Sequence, residues 1–98
     1  MLYVMTLSWQ PGLTPEQRDG ALARRAQWQY PDGLTVLGEY WTAAENPALV
    51  AVFEAENFSP LMDIGLTWGD VFQINTYPAV TAEEGMKLGL AAMERRGA

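Results

Sequence analysis

The stretch 34–54 constrains this chain most. It reads as two strands, Leu34–Trp41 and 49–54, joined by a polar connection through Asn46 and Pro47. Side chains of a strand alternate between the two faces of its sheet. Leu34, Val36, Gly38 and Tyr40 therefore alternate with Thr35, Leu37, Glu39 and Trp41, and Leu49, Ala51 and Phe53 with Val50, Val52 and Glu54. Both parities carry apolar residues, so both faces of this pair want cover. Gly38 marks a bulge or a close backbone approach. The connection 42–48 is too long for a two-residue turn and leaves room for Trp41 or Glu45 to reach over a cleft.

The flanking segments supply candidates for that cover. Leu2–Trp9 is an opening strand whose first half is apolar at both parities, which suits a central strand. Thr14, Pro15 and Gln17 form a capping box with proline at the first helical position. The helix they start runs to about Tyr30, before Pro31, Asp32 and Gly33, with Leu22, Ala26 and Gln29 as its stripe and Arg18 and Arg25 at the edge. A second helix starts at Ser59 as cap with Pro60 behind it, or at Asn57. Either Phe58, Met62 and Leu66 or Leu61 and Ile64 face inward. A last strand, 71–77, ends at Pro78. Thr81 and Glu84 then make a second capping box for a helix to about Arg96, lined by Met86, Leu90 and Met93.

The order is strand, helix, strand, strand, helix, strand, helix. Its first six elements match an α+β, ferredoxin-like βαββαβ repeat followed by an extra C-terminal helix, in one domain, 1–98. Two crossover helices cover one sheet face. The other face falls to the last helix or to a second subunit. We expect a homodimer through the open sheet face, because so short a chain buries a limited core and exposed apolar area is costly.

Composition removes several functions. The formal charge is −6, with twelve acidic and six basic residues, so the clustered basic surface that nucleic acid requires is missing. With no Cys and no His, thiolate nucleophiles, thiolate zinc sites and imidazole bases are excluded. Ser8 and Ser59 have no histidine to complete the usual triad, and glycine-rich phosphate loops are absent. A metal would need oxygen ligands such as Glu54, Glu56, Asp63 or Asp70. Those read as surface charges, so no metal and no cofactor are expected. No apolar run approaches membrane-spanning length and no signal segment opens the chain, which makes the cytoplasm the default.

What remains is a set of candidate site residues. Glu39 and Glu54 stand among apolar neighbours on paired strands. Facing one cavity, two carboxylates shift each other's pKa into one acid and one base; on a rim they are solvated charges. Tyr40 and Trp41, on opposite faces, either pack or stack on a ligand. Trp68 and Asp70 flank a turn that faces a ligand or stiffens the strand entry. Tyr3 or Tyr77 offers a phenolic donor. Three functions compete: a homodimeric module binding or sensing a small apolar or aromatic ligand, a cofactor-independent isomerase or monooxygenase-like enzyme using Glu39 or Glu54 as base, and a structural homo-oligomer.

Three segments also carry a resemblance. They are Met1 to Thr6 with Trp9 and Gly12 to Gln17; Gly33–Leu34 with Leu37 to Trp41; and Trp68 to Phe72 followed by Pro78 to Gly85. Together they resemble a bacterial family of small proteins, the domain of unknown function 3303 family, over nearly the whole chain. The resemblance implies an architecture related to the dimeric α+β barrel proteins, which include monooxygenases, muconolactone isomerase-like enzymes, chlorite-dismutase-like proteins and ligand-sensing domains. It brings no agreed catalytic residues, and a histidine-ligated haem finds no ligand in this chain.

Overall fold

The computed structural model describes residues 1–97. Along the chain lie β1 (Leu2–Trp9), α1 (Pro15–Gln27), β2 (Leu34–Trp41), β3 (Leu49–Ala55), α2 (Ser59–Trp68), β4 (Phe72–Ala79) and α3 (Ala82–Gly97). The four strands form one antiparallel sheet in the order β2-β3-β1-β4. Met5 of the inner strand β1 faces Ala51 on one side and Thr76 on the other. The element order and the strand order together are an α+β, ferredoxin-like topology with an added C-terminal helix. The dimeric α+β barrel expected from the sequence is overturned: the sheet is open, and β2 and β4 are its two edges rather than a closing seam.

One face of the sheet carries the core. Tyr3, Met5 and Leu7 of β1, Ala51, Phe53 and Ala55 of β3, and Phe72 of β4 are buried there with Ala21, Leu61, Ile64 and Trp68 from the helices. Phe53, Met5 and Leu61 are the largest of the fully buried side chains. The opposite face presents half-buried Leu2, Val4, Val50 and Val52, with exposed Tyr40 and Tyr77.

A bulge in β2 decides what the core face receives. Val36 pairs with Phe53, and the next paired residue is Gly38, opposite Val52, which leaves Leu37 as the extra residue. Glu39 then pairs with Ala51 and Trp41 with Leu49, both core-face positions. Strict alternation assigns Glu39 and Trp41 to the face opposite Leu34 and Val36; the inserted residue brings all four to the same face. Glycine at 38 has a steric cause. A Cβ there would lie 2.6 Å from the ring of Tyr40, which folds back over it.

The helices differ from their sequence boundaries in explicable ways. The α1 capping box forms, with Gln17 N–H donating to Thr14 Oγ1 at 3.2 Å and Thr14 N–H to Gln17 Oε1 at 2.8 Å. The helix stops at Gln27 rather than near Tyr30, since Trp28 is extended and Pro31 disfavours a helical residue before it. Its only buried residue is Ala21, while Leu22 of the expected stripe is half exposed. In α2, Ser59 sits inside the first turn and donates its N–H to Asn57 Oδ1 at 3.0 Å. Leu61 and Ile64 face inward; Phe58, Met62 and Leu66 are exposed.

β4 continues through Pro78 to Ala79 instead of ending there, as an edge strand permits for a residue with no N–H. α3 buries no residue, and Met86, Leu90 and Met93 are all more than half exposed. It does not cover the open sheet face. Among the described residues, no helix is long and apolar enough to cross a membrane.

Candidate functional site

The fold leaves a cavity of about 140 Å³ between α1 and the core face of β1, β2 and β3. It exists because α1 turns toward the sheet with little to fill the gap. Of the α1 residues that line it, Ala21 is a methyl group, Leu22 is half exposed, and Arg25 ends in a guanidinium group directed to Glu39. The walls are apolar, from Met5, Leu7, Leu49, Ala51, Phe53 and Ile64. All four tryptophans of the chain, Trp9, Trp28, Trp41 and Trp68, line this one space.

Glu39 is the acidic group in that lining. Its Oε1 accepts from Arg25 Nη2 at 2.8 Å and from the hydroxyl of Tyr30, and its Oε2 accepts from Trp41 Nε1 at 2.7 Å. Burial pushes the carboxyl upward, but the hydrogen bonds from Arg25, Tyr30 and Trp41 and the Arg25 charge outweigh it and hold Glu39 below its ordinary value of 4.5. The same contact with Glu39 raises Arg25, against the opposing effect of burial. Burial, followed by the hydrogen bond to the Glu39 anion and its charge, raises Tyr30 well above its usual range. Near neutral pH the cluster is a closed ion pair with two neutral donors attached. Charge-assisted bonds of this kind are short and strong, so Glu39 is a firmly held acceptor and a poor base.

Two further pairs flank the cavity. Arg18 Nη2 lies 2.7 Å from Glu45 Oε1, in the β2–β3 connection. Arg24 forms a two-pronged pair with Asp70, at 3.2 and 3.0 Å. The Arg24 hydrogen bond is also the main reason that the Asp70 carboxyl lies low. Each α1 arginine stacks on an aromatic ring as well: Arg18 on Trp9 at 5.0 Å, Arg24 on Trp68 at 4.2 Å, and Arg25 on Trp28 at 5.4 Å. Cations over indole faces are attracted by the ring quadrupole.

The sequence-derived candidates separate on this geometry. Glu39, Trp41 and Trp68 meet at the cavity, with Asp70 pinning α1 at its rim. Glu54 is on the opposite sheet face, paired with Leu2 and exposed, where its carboxylate accepts from the N-terminal ammonium at 2.7 Å. Glu39 and Glu54 therefore do not face one cavity. Tyr3 is buried in the core beside Phe58, and Tyr40 covers Gly38 on the open face. Among the described residues, no cluster of three or more acidic groups fits a metal ion. Sequence reasoning missed Arg25, Tyr30 and Trp28 as members of the site. The available signal was Arg18 and Arg25 at the edge of the α1 stripe, where two cations on an inward helix face need partners.

A family model described as Domain of unknown function (DUF3303) matches residues 1–93. The chain belongs to that family. The resemblance seen in its three sequence segments thus extends over all seven elements, most of α3 included. Neither the curated proteins nor the solved structures contain a match to the chain.

Proposed function

We propose that the protein is a small-molecule-binding or sensory module whose site is the cavity between α1 and the sheet. One observation carries this reading: all four tryptophans and a carboxylate held by three donors converge on one apolar space. Ligand sites are typically apolar concavities with a few fixed polar groups, and cores packed for stability alone leave few voids larger than a water molecule. Glu39 supports binding over proton transfer, because a carboxylate with three donors and a depressed pKa is a weak general base at neutral pH. Saturable quenching of tryptophan emission by single-ring aromatics is expected, and its loss in Ala21→Phe, which fills the cavity. An unchanged response in that variant, with its circular dichroism intact, would reject the reading.

Self-association through the open sheet face belongs to the same proposal, as pairing of two copies without barrel closure. Its support is the amount of apolar surface outside the core: Val4, Val50 and Val52 on the sheet, and Met86, Leu88, Leu90 and Met93 on α3. Burying half-exposed side chains of this size contributes roughly 1 kcal/mol each. Sedimentation at micromolar concentration tests it; a strict monomer would remove this part and leave the cavity reading intact.

A further inference from the structure

Taking the cavity as a binding site, we propose that its ligand class is a neutral, single-ring molecule carrying one hydroxyl or N–H donor, with that donor bonded to Glu39. Size sets the first limit. An apolar cavity of about 150 Å³ holds benzene, close to the 140 Å³ found here.

Hydrogen-bond capacity sets the second. An ionised carboxylate offers about four acceptor sites. Arg25 and Tyr30 take two on Oε1 and Trp41 takes one on Oε2, which leaves one acceptor position on Oε2. A ligand that only accepts finds Tyr30 and Trp41 already donating to Glu39. A ligand that donates finds the remaining acceptor.

Charge sets the third. An anionic ligand would add a second negative charge beside Glu39, whose countercharge from Arg25 is already committed at 2.8 Å. A cationic ligand would find three of the four tryptophans, Trp9, Trp28 and Trp68, already stacked on an arginine, and the fourth, Trp41, tied through Nε1 to Glu39. Arg24 and Arg18 are in turn paired with Asp70 and Glu45. The one ion pair in the lining, Arg25–Glu39, is closed on itself, and the arginines outside the lining that stack on Trp9 and Trp68 are paired as well, which selects for a neutral ring.

The test compares matched rings on the full chain, by tryptophan emission and by isothermal titration: phenol, its O-methylated form anisole, benzoate and benzylammonium. Phenol should bind about tenfold or more tightly than anisole, the margin of a hydrogen bond to a charged acceptor, with the two ions weaker than phenol. In Glu39→Gln, which keeps the shape but not the charge, the preference for phenol over anisole should shrink. Trp41→Phe, which removes a donor and part of one wall, should weaken binding of both rings but retain that preference. Anisole binding as tightly as phenol, or benzoate or benzylammonium binding most tightly, would overturn the ligand class while leaving the cavity a binding site. No saturable response to any of the four at millimolar concentration would overturn the cavity reading itself.

Discussion

The two crossover helices lie on the same face of the same sheet and are held there by different physics. α2 is anchored by burial: Pro60, Leu61, Ile64 and Trp68 are inside, and it carries no acidic residue in its first turn and no basic residue in its last. α1 buries only Ala21 and is tied down by Arg18, Arg24 and Arg25, each paired with a carboxylate on another element and stacked on an aromatic ring. Apolar burial is short-ranged and draws surfaces into direct contact. Long arginine side chains reach across a gap and leave it open. Both helices wall the cavity, Ile64 and Trp68 from α2 and Ala21, Leu22 and Arg25 from α1, and the side held by charge is where a domain can admit a ligand without dismantling its core.

The contrast makes graded predictions. Leu61→Ala in α2 should have the largest effect, a loss of about 2–5 kcal/mol in urea unfolding, because a fully buried side chain leaves a cavity behind. A loss below about 1 kcal/mol would show that α2 is not the apolar anchor. Arg25→Ala should come next, costing about 1–2 kcal/mol, since it leaves the largely buried Glu39 carboxylate with neutral donors only. Carboxyl chemical shifts should then show Glu39 titrating at higher pH than in the parent; an unchanged titration would mean that the pair contributes little.

The pH dependence of stability should follow the same cluster. Glu39 has a depressed folded pKa, so its contribution is present above the ordinary value of 4.5 and is lost as pH falls through the lower folded value. Tyr30 has a raised folded pKa, so its contribution is complete below the ordinary value of 10.0 and is lost as pH climbs toward the folded value. Thermal unfolding across pH should therefore show a plateau between these limits, and Glu39→Gln should flatten the acid limb. An acid limb unaltered by that substitution would place the titration elsewhere.

The smallest effect belongs to the exposed pair. Asp70→Asn, which removes the exposed charge and leaves Arg24 stacked on Trp68, should cost about 0.2–1 kcal/mol, and 1 M salt should act in the same direction by screening. Amide exchange should speed up in α1 under salt and stay constant in α2. Equal acceleration in both helices would erase the distinction between them.

The elements and their order were legible in the sequence because they rest on local signals. The capping box at Thr14 and Gln17 and the double apolar parity of β1 each point to one outcome, and the structure has an inner β1 and a capped α1. The choice between the two α2 faces was open, as Phe58, Met62 and Leu66 are as apolar as Leu61 and Ile64; only the position of the sheet chooses. The last helix shows the same limit, because an apolar line on α3 does not say what it meets.

The candidate site was half legible. Glu39 and Trp41 stood out as unusual residues on an apolar strand, but the face they occupy depends on one extra residue at Leu37. A one-residue change of register sends every following side chain to the other face, and nothing local at Gly38 distinguishes a bulge from a close approach. Glu39 and Glu54 were therefore grouped by chain pattern and separated by the sheet. The sequence by itself determined the supply: four tryptophans, three α1 arginines and no histidine or cysteine. Tertiary structure alone decided that the tryptophans surround one space and that carboxylates far along the chain pair with the α1 arginines, because side chains carry no local record of such partners.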